Sequence, residues 1–276
     1  LSDNIVNNRE GLAMMIGKAG AARTSICTSD ADSITVRGHD LTGDLMGHRT
    51  FTEYFFLSVT GRLPTDDQRD FLDILLISIA EHGLTPNAQA ARMTLAAAPD
   101  ALQGALAAGI LGCGSVILGA AESAGKLLVE GKARLDSGVS EEDVARDIVE
   151  AANREGRRLP GFGHPVHKPV DPRTQRILSL ARARGVAGPH CALAGALDAA
   201  VTEARGKPLT MNVSMAIAAV LLDLDFPAGL IKGIPLLART AGLLGHLAEE
   251  QQYPIGFLLA GKAAEAIDYV EPEDGA

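Results

Sequence analysis

The chain has 276 residues, with 25 basic against 34 acidic side chains for a net charge of −9, and only 4% aromatic residues with no tryptophan. An acidic chain with no lysine or arginine cluster is a poor match for a phosphate backbone, and without aromatics it lacks the stacking platforms of single-strand binders, so nucleic acid is not expected as a partner. The length admits one domain or slightly more, enough for an enzyme core, and the abundance of Ala, Leu, Ile and 30 glycines favours closely packed helices.

The chain opens Leu1, Ser2, Asp3, Asn4, without a basic-then-apolar signal pattern. Cys27, Cys113 and Cys191 are odd in number and scattered, fitting neither a disulfide framework nor a zinc spacing, so a reducing cytoplasm is expected. Ile34 to Arg37 reads as a strand. Residues 65 to 83 predict a helix: Thr65 is its N-cap, Gln68 completes a capping box, Phe71, Leu72, Leu75, Leu76 and Ile79 form one apolar face, and Gly83 ends it. Ala101 to Ala121 carries no charge and is as long as a membrane span. Its glycines 104, 109, 112, 114 and 119, with Asp100 and Glu122 closing it, predict a buried, close-packed helix instead.

Further helix starts are expected at Ser140, with Asp143 three residues on, and at Asp171-Pro172, with proline at the first helical position. Helices also fit 211 to 223, 227 to 250 and 256 to 269. Alternating runs are too few for a large sheet, so the fold class is all-α. The acidic tail, Glu271, Glu273 and Asp274, reads as a solvated end.

Between Arg154 and Pro172 the composition forbids a helix. Phe162 and Val166 among the glycines predict an ordered loop, the usual place for chemistry. In Gly161-Phe162-Gly163-His164-Pro165-Val166-His167-Lys168, the glycines permit close backbone approach to a ligand, a histidine can exchange a proton near neutral pH, and Lys168 can meet a phosphate or carboxylate. The alternative is a surface loop with two solvated histidines. His-x-x-His also suggests a metal, but on a proline-broken loop with no further Cys or His nearby no metal is expected. His246, within a leucine-rich helical pattern, reads as a satisfied core or interface histidine.

Gly161-Phe162-Gly163-His164, Lys168 and Asp171-Pro172-Arg173 together resemble the GxGHxVxKxxDPR signature of the citrate synthase superfamily. Other segments agree in order: Arg37-Gly38-His39-Asp40-Leu41, Phe51-Thr52-Glu53 through Gly61-Arg62-Leu63-Pro64-Thr65, Glu81-His82-Gly83, Asn212-Val213, and Arg239-Thr240-Ala241-Gly242 through His246 to Glu250. The Glu81-His82-Gly83 form and the short chain are similar to the citryl-CoA lyase branch, which includes the C-terminal lyase module of ATP-citrate lyase.

The resemblance implies an all-α fold with a large helical domain, 1–118 and 226–276, and a smaller domain, 119–225, that closes over CoA in a homodimer. It implies that His82 contacts the reacting oxygen, that His164 donates or accepts its proton, and that Arg173 and Arg239 hold substrate carboxylates. It implies that Gly161, Gly163, Lys168 and, more weakly, Lys207 face CoA, which comes and goes as part of the substrate, with no tightly bound cofactor. The partners it implies are an acyl-CoA and a 2-oxo acid, with no nucleic acid and no membrane.

Two family positions differ. Ile117 stands where synthases have the histidine that polarises the thioester carbonyl, and Ser214 stands at the catalytic carboxylate, although a serine hydroxyl is no general base unaided. In addition, no arginine follows Arg239 to serve the partner subunit's site, and only Lys262 is available. Three readings follow: a lyase cleaving a citryl-CoA-like thioester, a synthase running the same bond the other way, and a CoA-binding homologue without turnover. The replaced enolisation residues put the lyase first.

Overall fold

A computed structural model describes residues 22–272, so the Leu1–Asn4 opening and Glu273 and Asp274 of the tail lie outside the described residues. The chain divides into two compact units at Leu63/Pro64.

In the first unit a small antiparallel sheet has the order β1 (Cys27–Ser29), β2 (Ile34–Val36), β3 (His39–Asp40). The strand expected over Ile34 to Arg37 stops at Val36, because Arg37 and Gly38 both take positive φ (51° and 85°). They form the two-residue turn that pairs Val36 with His39. One π-helical turn, Leu41–Leu45, follows, with Asp40 accepting from the Thr42 and Gly43 N–H groups. Helix α1 (Phe51–Thr60) starts on a reciprocal capping box between Thr50 and Glu53 and ends on Gly61 at φ 78°. Val36, Leu45 and Leu57 make this unit's core.

The second unit is helical: α2 (Asp66–Ala80), α3 (Pro86–Ala97), α4 (Leu102–Leu111), α5 (Gly119–Asp136), α6 (Glu141–Arg154), α7 (Pro172–Ala183), α8 (Pro189–Arg205), α9 (Val213–Asp223), α10 (Gly233–Gln252) and α11 (Gly256–Ala266). Helix α9 is its centre. Val213 and every residue from Met215 to Leu221 are buried, as suits a helix apolar all round, and it packs against α5, α7, α8 and α2. Helix α10 lies against α2, α3 and α4.

The capping signals at Thr65/Gln68, Ser140 and Asp171 all operate as expected. Several expected boundaries change: α9 starts at Val213 rather than at 211, and α11 ends at Ala266 rather than at 269. Helix α2 stops at Ala80 rather than at Gly83, since the Glu81 carboxylate accepts from the His82 and Gly83 N–H groups (2.6 and 2.7 Å) and turns the chain early. The stretch 227 to 250 begins as a 3-10 turn, Ala228–Leu230, before α10 starts at Gly233.

The uncharged run 101 to 121 is not one buried helix. Helix α4 ends at Leu111, α5 begins at Gly119, and Leu111 and Val116 are 84% and 92% exposed. Glycines at 112 and 114 weaken helix propagation there, and Gly112 packs so tightly on Asn87 that a Cβ would come within 3.1 Å of its Cα. Among the described residues no helix is long and apolar enough to cross a membrane.

One buried ion pair locks three helices. Arg92 on α3 donates from Nε to Glu250 (2.6 Å) and from Nη2 to the Tyr253 carbonyl (3.0 Å), while the other Glu250 oxygen accepts from the Ile255 and Gly256 N–H groups at the start of α11. Arg92 and Glu250 side chains are 3% and 2% exposed. Breaking such a pair strands the partner charge, so Arg92→Met is expected to lower the unfolding free energy by about 3–5 kcal/mol, as read by urea titration.

Candidate active site

The loop before α7 is ordered by main-chain bonds to the strand-like segment ahead of α9. Gly163 N–H donates to the Thr210 carbonyl (2.7 Å), Asn212 N–H donates to the Gly161 carbonyl (2.9 Å), and Phe162 forms an antiparallel bridge with Met211. The Asn212 side-chain amide adds a bond to the Gly163 carbonyl (2.9 Å). Gly161 and Gly163 have φ of 81° and 87°. At Gly161 a side chain is doubly excluded, because a Cβ would press on Met215 at 2.7 Å.

Asp171 is fully buried and joins this loop to two helices. Its Oδ1 accepts from the Arg173 N–H and Nε (both 3.0 Å), and its Oδ2 accepts from Arg173 Nη2 (2.8 Å) and from the Val213 N–H at the start of α9 (3.1 Å). Burial alone would push its carboxyl up, but the bonds from Arg173 and Val213 hold it below the ordinary carboxylate range. Arg173 is thereby aimed at His164, with Nη2 3.4 Å from Nε2.

His164 has its tautomer set by the loop itself. Its Nδ1 accepts from the N–H groups of Val166 (3.1 Å) and His167 (2.9 Å), so in the neutral ring the proton sits on Nε2. Two donors, Nε2–H and the Arg173 guanidinium, then face each other and can share an oxygen acceptor but cannot bond each other. His82 enters from the turn after α2, held by Glu81, whose Oε1 also lies 3.1 Å from Nε2 of His246 on α10. This turn needs Gly242: a Cβ there would overlap the Ala80 carbonyl oxygen. The rings of His82 and His164 are 5.5 Å apart and T-shaped, and His167 lies 4.4 Å from His164 and 5.6 Å from His82. Burial lowers the pKa of both His82 and His164; for His82 the next contribution is the Arg173 charge, for His164 the His167 ring. Both are therefore neutral near pH 7.

Arg239 is 4% exposed, and its Nε and Nη1 find no protein acceptor. Burial lowers its pKa, opposed by the charge of Glu81 and the thiol of Cys113, and Arg173 adds further repulsion. The structure thus gathers His82, His164, Arg173 and Arg239, with Gly161 and Gly163 in the same loop.

Ser214 is half-buried in the first turn of α9, its N–H bonded to the Asn212 side chain (3.1 Å). Lys168 and Lys207 are exposed, and among the described residues no polar contact ties either to the histidines. Lys262 is exposed and paired with Glu265. His246 is satisfied, as expected, but by the carboxylate that shapes the His82 turn. The sequence reading gave Asp171 only a helix start and a place in the family signature, and assigned no site role to Thr210 or His167. Only the His-x-x-His spacing hinted at His167.

One ring nitrogen each from His82, His164 and His167 falls within 4.8 Å of the others, close enough to consider a metal ion. The donor set does not suit one. His164 can offer only the nitrogen that carries its proton, since the other already accepts two N–H groups, and the Arg173 cation stands beside it.

Residues 66–255 match the family described as "Citrate synthase, C-terminal domain". Among solved structures, citryl-CoA lyase from Hydrogenobacter thermophilus is similar along almost its whole length: 30% identity, TM-score 0.81, covering 93% of this chain and 97% of that one. ATP citrate lyase from Methanothrix soehngenii, solved with citrate and coenzyme A, shares the fold at 22% identity and TM-score 0.73 over 94% of this chain and 43% of its own. The citrate/2-methylcitrate synthase of Bacillus subtilis is 27% identical over 204 residues, which are 73% of this chain and 52% of that protein. The chain spans about half the length of the curated relatives it matches. With an all-α, citrate synthase-like architecture and a family match that extends from α2 to the start of α11, the chain belongs to the citrate synthase family.

Proposed function

We propose that the chain is a CoA-dependent carbon–carbon lyase of the citryl-CoA lyase type, cleaving a 3-hydroxy-3-carboxyacyl-CoA such as citryl-CoA to acetyl-CoA, or a related acyl-CoA, and a 2-oxo acid. The observation that carries the reading is the buried Arg239 guanidinium with two unpaired nitrogens beside Arg173 and the imidazoles. A buried cation without a partner is costly, and a substrate carboxylate would supply the missing acceptor in fork geometry. Arg173, already oriented by Asp171, would take a second carboxylate oxygen.

His82 and His164, both neutral, would hold the oxygen at the reacting carbon as donors and stabilise the charge that develops there. Gly161 and Gly163 would let the loop backbone approach CoA, and the exposed Lys168 and Lys207 would meet its phosphates. CoA enters and leaves as part of the thioester, with the 119–225 lobe closing over it in a homodimer. Cleavage rather than condensation is supported by the near full-length likeness to a citryl-CoA lyase and by Ile117, whose side chain cannot polarise a thioester carbonyl. Condensation is the second reading, favoured by the synthases among its relatives.

Citryl-CoA incubated with the purified chain is expected to release acetyl-CoA. No acyl-CoA release from citryl-CoA or from analogues lacking one carboxylate overturns the lyase, and citrate formation from acetyl-CoA and oxaloacetate outrunning cleavage would favour the synthase. Arg239→Met removes the stranded charge. Without ligand the variant should be more stable than the parent by on the order of 1 kcal/mol, while the rise in thermal midpoint that citrate gives the parent should vanish.

A further inference from the structure

We propose that His167 carries the proton of the reaction, taking it from the substrate hydroxyl as the carbon–carbon bond breaks and delivering it to the enolate carbon. The inference rests on the lyase reading above and starts from hydrogen-bond arithmetic. Cleavage needs an acceptor for the hydroxyl proton and a donor for the enolate. His164 cannot be the acceptor: its Nδ1 lone pair is taken by the N–H groups of Val166 and His167, and its Nε2 already holds a proton. It can only donate a hydrogen bond to the oxygen. Burial and then the positive charge of Arg173 disfavour protonation of His82. The Ser214 hydroxyl does not accept a proton near neutral pH.

His167 meets the requirement. Its ring centroid lies 4.4 Å from that of His164 and 5.6 Å from that of His82, both tilted, and one of its ring nitrogens falls within 4.8 Å of a nitrogen of each. Its main chain is pinned on both sides, the N–H by His164 Nδ1 (2.9 Å) and the carbonyl by the Thr210 hydroxyl (3.1 Å). Among the described residues its hydrogen bonds are those of its main chain, and none engages its ring nitrogens. A fixed backbone with a free imidazole edge is what a proton carrier needs.

The step balances without a further reactant. The hydroxyl proton passes to an unprotonated nitrogen of His167, and the oxygen lone pair becomes the carbonyl of the 2-oxo acid. The electron pair of the breaking carbon–carbon bond moves into the thioester as an enolate. The enolate carbon, one bond angle away from that oxygen in the substrate, then takes the proton back from the imidazolium. His167 ends as it began.

His167→Asn and His167→Gln keep the main-chain N–H that fixes His164, so the test separates the side chain from the loop. The variant whose thermal unfolding and KM for citryl-CoA match the parent is expected to lose roughly 10²- to 10⁴-fold in kcat, and added free imidazole should restore part of that loss. A matched variant within tenfold of the parent, or a loss that imidazole leaves untouched, overturns the carrier while the lyase stands. A parent that cleaves nothing sinks the lyase itself, and the carrier with it.

Discussion

The site depends on one buried carboxylate. Asp171 accepts four hydrogen bonds, three from Arg173 and one from the first residue of α9. A carboxylate held in a dry interior must have its lone pairs filled, and filling them here also joins the histidine loop, the start of α7 and the start of the central helix. Arg173 gains an orientation it would lack as a flexible surface side chain. His164 inherits the result, since the loop that carries it runs between Asp171 and the strand-like segment at Met211.

The charges around it are arranged against the global field of the chain. A protein of net charge −9 repels anions at long range, so any anion must be drawn by local cations that water does not screen. Arg239 is such a cation, buried and with unpaired nitrogens. Its pKa is lowered by burial, yet a guanidinium remains charged. Burial, followed by the Arg173 charge, lowers the pKa of His82, so the cluster combines charged forks with neutral imidazoles.

Position within the site is also set by close packing at a distance from the chemistry. Gly242 on α10 lets the end of α2 approach, Glu81 turns the chain there, and His246 binds Glu81. Elsewhere the same logic replaces a local cap by a remote one. Asp223, at the end of α9, accepts from the N–H groups of Gly188, His190 and Cys191 at the start of α8; burial pushes it up, yet these bonds and the His190 ring hold it at about 2. Pro189 stands at the first helical position, but no side chain next to it caps the helix, and its free N–H groups are met only by this distant carboxylate.

Features legible in sequence were those with local causes. Thr65 and Gln68, Ser140 and Asp143, and Asp171 before Pro172 lie within a turn of one another, so their bonds form whatever surrounds them. The Gly161 to Arg173 segment declared itself because its glycines, prolines and histidines cannot serve a helix. The tertiary structure decided the rest. The run 101 to 121 breaks between Leu111 and Gly119, where Gly112 packs closely on Asn87, a residue remote in sequence that no local pattern around 112 points to. The pairing of Glu81 with His246 spans 165 residues, and that of Asp171 with Val213 spans 42. The sequence determined which side chains could carry protons and charge; only the fold decided which lone pairs were already filled, because a hydrogen bond between remote residues exists only once packing has brought its two ends together.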